Sequence, residues 1–348
     1  MAKKNRKVSV AFFEVEQWEK EYLEKRLKGF ELSFFSKTID KQSLKEIQNV
    51  SILSPFIYSK INKDILSALP NLKLVATRST GFDHIDLRSA RKLKIKVANV
   101  PTYGANTVAE HTFALILSLS RKIHLAYERT SRGNFSLEGL RGFDLRDKMI
   151  GVVGGGNIGQ HVVRIAQGFN MKVIVYDVHR DQKLAKKMGF QYVTLNRLIS
   201  TSDIITLHAP YNKKTHHMIN RQNIKLVKDG AMIINTARGG LIDTTALIDG
   251  LRTGKLAGIG LDVLEEEKYI LKEEAQLLSP HFISKNQQNI KENLETVVEG
   301  HMLLMSDKVI VTPHNAFNSK EALERILDTT IENITSLSKK IKMKNLVK

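Results

Sequence analysis

Three side chains in the second half of this chain have types that combine into acid–base chemistry on an anion. Arg238 lies in Asn235-Thr236-Ala237-Arg238-Gly239, directly after an apolar run. Glu267 comes shortly after Asp262, beyond the run Gly258–Leu261, and His314 lies in Thr312-Pro313-His314 after Val309–Val311. A guanidinium fork grips a carboxylate with two parallel hydrogen bonds. An imidazole gives and takes a proton near neutral pH. A carboxylate bonded to that imidazole favours its charged form and aims it. The set suits reduction of a 2-oxo acid: one group orients the substrate carboxylate, one protonates the carbonyl oxygen, one holds the donor in place. Taken singly, each has an ordinary explanation. An arginine after a strand is usually a surface charge, Glu265–Glu267 reads as solvated loop, and a histidine beside proline is usually structural. The weight rests on their shared placement after strand ends, where open α/β sheets bind ligands.

A second constellation supplies the other half of such a reaction. Gly154-Gly155-Gly156-Asn157-Ile158-Gly159 matches G-x-G-x-x-G, a weak signal alone. Here an apolar run precedes it, a helical pattern over Gln160–Phe169 follows, and a second apolar run ends in Asp177. That is the dinucleotide fingerprint in its full context. Gly154 permits a tight turn, Gly156 a close approach to pyrophosphate, and Gly159 close helix–strand packing. The helix N-terminus offers free N–H groups to the phosphates. Asp177 would bind the ribose hydroxyls and repel a 2′-phosphate, which selects NAD; Arg180 nearby softens that discrimination.

The elements that must position these residues alternate short apolar runs with helical stretches, the pattern of parallel sheets covered by helices. Five strands are expected by residue 100: Val8–Phe13, Leu32–Phe35, Val50–Leu53, Lys73–Thr77 and Val97–Val100. A long helix is expected from Thr107 to about Tyr127. Six more strands then make a full doubly wound sheet: Ile150–Val153, Lys172–Tyr176, Ile204–Leu207, Ala231–Asn235, Gly258–Leu261 and Val309–Thr312. The glycine loop begins near residue 150, so a complete α/β unit precedes the cofactor domain. A helix follows Phe317 and ends in basic residues.

Composition sets outer limits. At 348 residues, two domains are the natural expectation. Without cysteine, no disulfide, thiolate metal site or catalytic thiol is available, and no metal is expected. No run is long enough for a membrane span, and Val8–Phe13 is too short for a signal peptide, which together point to the cytoplasm. The net charge of +18 raises nucleic-acid binding as a reading. The basic residues are spread along the chain and no nucleic-acid motif accompanies them, so a lysine-rich surface that attracts anionic substrates is preferred.

The chain resembles the D-isomer-specific 2-hydroxyacid dehydrogenases along nearly its whole length. The resemblance is carried by Ser79–Asp86, Asn106–His111, Gly151–Gly159, Asn235–Asp243, Gly260–Val263 and Pro313-His314. It implies that Arg238 binds the substrate carboxylate, His314 is the general acid/base and Glu267 its partner. It also implies a Rossmann-type NAD domain over 104–314, inserted into a split, flavodoxin-like substrate domain of 1–103 plus 315–348. Cofactor contacts carried over are Asn157, Ile158, Asp177, Ala209, Pro210, Thr215, Thr236, Ala237 and Asp262, with Asp262 on the nicotinamide carboxamide side. The helix after Asn106 is similar to the family's dimerisation arm, which implies a homodimer.

Similarity is greatest to the D-lactate dehydrogenase branch. Thr80, Gly81 and Tyr103 are placed on the substrate side, and Phe56 and Phe317 suit a small apolar side chain, so pyruvate and D-lactate are the expected pair. Glyoxylate, hydroxypyruvate and branched 2-oxo acids are alternatives. A phosphoglycerate dehydrogenase would need further cations, and a phosphite-oxidising relative shares the core. A non-enzymatic NADH-sensing corepressor is the alternative of another class. The stretch Lys268–Lys308 is longer than the family's usual connection, and Ile290–Met305 has helical periodicity.

Overall fold

A computed structural model of the protein describes residues 7–265, 298–339 and 341–347. The described chain forms two compact units, one of residues 1–104 with 319–348 and one of residues 105–318.

The first unit is built on five strands: β1 (Ser9–Phe13), β2 (Glu31–Phe35), β3 (Ile52–Ser54), β4 (Leu74–Ala76) and β5 (Lys96–Ala98). They are all parallel, in the order β2-β1-β3-β4-β5, the flavodoxin-like order. Alternation along β1 divides the core in two. Ala11 and Phe13 join Leu53, Val75, Val97 and Leu66 on one face. Val10 and Phe12 join Leu74, Ala76 and, from the far end of the chain, Leu327, Ile331 and Ile334 on the other. Those last three lie on the helix Lys320–Ser338, whose N-cap Ser319 accepts a hydrogen bond from the Ala322 amide. Beyond that helix, Leu346 bridges Ala98 antiparallel and so edges β5.

The second unit carries β6 (Met149–Val153), β7 (Lys172–Tyr176), β8 (Gln191–Tyr192), β9 (Ile204–Leu207), β10 (Ala231–Asn235), β11 (Leu256–Leu261) and β12 (Val309–Val311). The sheet is parallel, in the order β12-β11-β10-β9-β6-β7-β8. Its order reverses between β6 and β9, the place where open α/β sheets take a ligand. The central strands β6, β9, β10 and β11 are buried on both sides, as a sheet sandwiched by helices requires. β11 contributes Gly260 beneath the helix Ala105–Ser120. A Cβ there would lie 3.1 Å from the Cβ of Leu115, so the helix sits directly on the strand.

The structure corrects three sequence expectations. The helix expected over Thr107–Tyr127 is two helices, Ala105–Ser120 and Ile123–Ser131. Lys122 between them is left-handed (φ 52°), and the Ser120 carbonyl accepts from the Phe143 amide instead of continuing the helix. A seventh, two-residue strand, β8, extends the sheet beyond Tyr176. Residues 315–318 belong to the second unit rather than the first, because the Asp262 carboxylate holds the Asn315 and Ala316 amides. The first half of the expected helix over Ile290–Met305 lies outside the described residues; 298–304 are helical.

Candidate active site

The glycine turn in the second unit is held by its own backbone. Gly154 has φ +103°, and a Cβ there would meet the His208 carbonyl oxygen at 2.7 Å. Gly159 packs still closer: a Cβ would lie 2.0 Å from the Gly154 oxygen. Gly156 differs from both. It is the N-cap of the helix Asn157–Gly168, no side chain caps it, and a Cβ there would meet nothing within 4 Å. The first helical amides, Asn157 and Ile158 among them, have no helical acceptor, and the space beside Gly156 leaves room for phosphate oxygens to take them.

Asp177 follows β7 and is tied to this turn. One carboxylate oxygen accepts from the Gly155 amide at 2.7 Å, the other from His179 at 2.8 Å. It is thus more than a residue ending a strand: it stands beside the phosphate loop, where a ribose hydroxyl would reach it. These features fit NAD, with backbone amides for the pyrophosphate and a carboxylate for the adenosine ribose.

The loop after β9 begins with His208, which sequence reasoning passed over. Its Nε2 pairs with the Thr206 hydroxyl at 2.9 Å, and its Nδ1 is buried without a partner among the described residues. Burial pulls its pKa down to about 3, so the ring is neutral at physiological pH. Ala209 and Pro210 follow it. The Thr215 hydroxyl closes the turn by donating to the Pro210 carbonyl at 2.7 Å and accepting from the Asn212 amide.

After β10, the buried Thr236 shares a hydrogen bond with Thr112, and Asn235 braces the next turn by accepting from the Ala237 amide and donating to the Arg238 carbonyl. Arg238 is extended, half-buried, and bonds through one guanidinium nitrogen to the Ala237 oxygen. Gly239 brings this turn against the 264–265 backbone: a Cβ there would lie 2.2 Å from the Leu264 carbonyl. Glu265 is committed to structure. It pairs with His217 Nε2 at 2.5 Å and accepts from the Thr244 hydroxyl at 3.0 Å. Glu267 lies outside the described residues.

His314 follows β12, two strands across the sheet from the strand that carries Arg238. It is left-handed (φ 53°), a region uncommon for residues other than glycine but one that histidine visits more than most. Asp262 ties down the residues on either side of it. One of its oxygens accepts from the Thr312 hydroxyl at 2.6 Å and the Asn315 amide at 2.7 Å; the other accepts from Ala316 at 2.8 Å. His111 Nε2 stands 3.0 Å from the Thr312 hydroxyl and 3.4 Å from the Asp262 carboxylate. Burial alone would push the Asp262 carboxyl up, but the hydrogen bonds from His111, Thr312 and the loop amides hold it below the usual carboxylate range. Asp262, which the resemblance makes a nicotinamide contact, also latches the histidine loop. The partners His111 and Thr312 carried no recognisable signal of this role.

In the first unit, Thr80 and Gly81 form the turn after β4. The Thr80 hydroxyl donates to the Val100 carbonyl at 2.6 Å, and Ser79 donates to the Gly81 carbonyl at 2.7 Å. Thr77 links Ser79 and His84 in a chain behind this turn. Phe56 stands in the loop after β3, and the Tyr103 carbonyl accepts from Arg325. Phe317 follows the His314 loop in the second unit.

Known proteins match this arrangement. A family described as "D-isomer specific 2-hydroxyacid dehydrogenase, NAD binding domain" matches residues 113–316. A "2-hydroxyacid dehydrogenase homolog" of Haemophilus influenzae is 35% identical over 98% of this chain and 99% of its own length. The "D-lactate dehydrogenase" of Escherichia coli is 34% identical over 95% and 97% of the two chains. A solved D-lactate dehydrogenase from Aquifex aeolicus, complexed with NAD and lactic acid, is 37% identical, with a TM-score of 0.79 over 95% of this chain and 96% of that one.

Proposed function

Because this chain belongs to the D-isomer-specific 2-hydroxyacid dehydrogenases, NAD-linked oxidoreductases of the CH–OH group of 2-hydroxy acids, we propose that its reaction is reduction of pyruvate to D-lactate with NADH. The observation that carries this choice of substrate is the end-to-end likeness to D-lactate dehydrogenases, one of them solved with NAD and lactic acid.

Bound NADH supplies the hydride. The chain's own residues prepare and complete the step. Arg238 holds the pyruvate carboxylate in one orientation through its guanidinium fork, on a turn that Asn235 braces at a strand end. His314 gives its proton to the carbonyl oxygen, and takes it back in the direction of oxidation. Asp262 braces the loop that carries His314 by accepting from the two amides that follow it. Glu267 is assigned as the carboxylate that pairs with His314. Phe56, Tyr103 and Phe317 are assigned to the substrate's methyl end, and Thr80 and Gly81 to its carboxylate end. On the cofactor side, the amides at Gly156–Ile158 hold the pyrophosphate and Asp177 the ribose; the other contacts assigned are Ala209, Pro210, Thr215, Thr236, Ala237 and Asp262.

The test is NADH oxidation by purified protein over a panel of 2-oxo acids. Pyruvate should give the highest kcat/KM, above glyoxylate, hydroxypyruvate and branched 2-oxo acids. A higher value for any of these would reassign the substrate; no turnover with any would remove the catalytic reading.

A homodimer is part of the same proposal. The helix Ile123–Ser131 has no fully buried residue among the described residues, and Tyr127, Phe135 and Leu137 are 75%, 78% and 83% exposed. Apolar side chains clustered in one exposed segment are characteristic of an interface.

A further inference from the structure

We propose that Glu14 is a positioning residue for substrate side-chain selection, acting through the loop Pro55–Ser59 that carries Phe56. The proposal rests on the assignment of Phe56 to the substrate's methyl end.

Glu14 follows β1 and is left-handed (φ 61°), a backbone region that residues with a Cβ adopt rarely. The conformation turns its carboxylate onto the neighbouring loop after β3. One oxygen accepts from the Tyr58 amide at 3.0 Å. The other accepts from the Ser59 amide at 2.9 Å and from the Ser59 hydroxyl. Two consecutive amides captured by one carboxylate fix the peptide planes that follow Phe56.

Arg78 fixes the opposite end of the same loop. Its amide donates to the Pro55 carbonyl at 3.0 Å. Its guanidinium is 1% exposed and donates to the carbonyls of Phe13 at 2.9 Å, Glu14 at 2.8 Å and Ser54 at 3.2 Å. Its Nε faces Glu19 at 3.7 Å. The guanidinium carbon also stands 5.8 Å from the centre of the Phe56 ring, and the Tyr58 ring meets Phe56 edge-on at 6.3 Å. Arg78 thus holds the Glu14 backbone while the Glu14 side chain holds the loop. A short loop after a strand needs neither a buried arginine nor a left-handed glutamate merely to turn, so this bracing has a positional purpose: it sets where the Phe56 ring stands and how much room lies beside it.

The test compares kcat/KM for pyruvate and for 4-methyl-2-oxopentanoate in the wild type, Glu14→Gln, Glu14→Asp and Phe56→Leu. Glutamine turns an amide NH2 toward a donor, and aspartate keeps the charge but falls one methylene short. Both should lower the pyruvate preference by about fivefold, the size of a lost hydrogen bond, with KM for NADH unchanged. Hydrogen exchange at the Tyr58 and Ser59 amides should rise by about tenfold as their protection is lost. A purely structural role would lower Tm while leaving the preference where it was. If Phe56→Leu shifts the preference and neither Glu14 variant does, the proposal is overturned and the Phe56 assignment stands. If none of the three shifts it, the Phe56 assignment falls and the proposal with it. If Glu14→Gln does not fold, Glu14→Asp decides.

Discussion

At the scale of single residues, charge and conformation are held by buried partners rather than by the groups that meet the substrate. Arg238, by contrast, is assigned to the substrate itself. Replacing it with lysine keeps the charge and loses the planar fork, so kcat/KM for pyruvate should fall by about 2–5 kcal/mol of transition-state binding. NADH affinity, read by fluorescence titration, should stay the same; near-normal turnover at low pyruvate would remove Arg238 from the carboxylate site. His208 gives a prediction about pH. Its folded pKa, about 3, lies below the ordinary histidine value of 6.5. The unfolded chain therefore binds a proton that the folded chain refuses, and stability falls as pH drops below 6.5 toward 3. This residue alone should cost about 2 kcal/mol between pH 7 and pH 5. Urea unfolding of His208→Gln should show a shallower loss over that interval than the wild type. Equal slopes would mean the ring is already charged in the folded protein.

Single residues were also where reading from sequence went furthest and stopped. Arg238, His314 and Asp177 are visible because each follows an apolar run in a motif that repeats known chemistry. The latch on His314 is not visible. It joins His111, Asp262 and Thr312, which are distant in sequence, and only the register of β11 beside β12 brings Asp262 and Thr312 together.

At the scale of elements, the glycine turn separates folding from binding. Gly159 sits against backbone and Gly156 faces open space. Gly159→Ala should destabilise by more than the ~1–3 kcal/mol of ordinary overpacking, because a carbonyl oxygen cannot step aside as a side chain does. Gly156→Ala should unfold at nearly the wild-type temperature yet bind NADH at least about tenfold more weakly, with a methyl group where the pyrophosphate approaches. Thermal unfolding and NADH titration of the two variants distinguish the roles; normal NADH affinity in Gly156→Ala would place the phosphates elsewhere. The strands themselves were legible, since buried parallel strands read as apolar runs. The break at Lys122 was not. Helical periodicity runs through it, and the cause is a hydrogen bond from Phe143, a residue well past the helix. β8 has two residues, too few to form any pattern.

At the scale of the whole molecule, the exposed segment from Ile123 to Leu137 predicts association. Tyr127→Asp places a charge on the face assigned to the partner, and sedimentation should show a shift from dimer to monomer at micromolar concentration. An unchanged dimer would move the interface to another surface. The order of the two sheets was legible from the position of the glycine loop near residue 150, which leaves room for a complete α/β unit before it. That the chain returns to the first unit came from resemblance alone, which set the return at residue 315 where the structure has Ser319, because the helix Lys320–Ser338 has the same amphipathic pattern whichever unit it covers.

That return has a consequence for the order in which the protein is made. As the chain leaves the ribosome, the second unit can close once β12 has emerged. The first unit cannot, although its strands appear first. Val10, Phe12, Leu74 and Ala76 wait for Leu327, Ile331 and Ile334 to cover them. Through most of synthesis the earliest part of the protein is therefore the least protected, an apolar sheet face of the kind that aggregates or recruits chaperones. A nascent chain stalled before residue 320 should carry a second unit that resists protease and a first unit that does not.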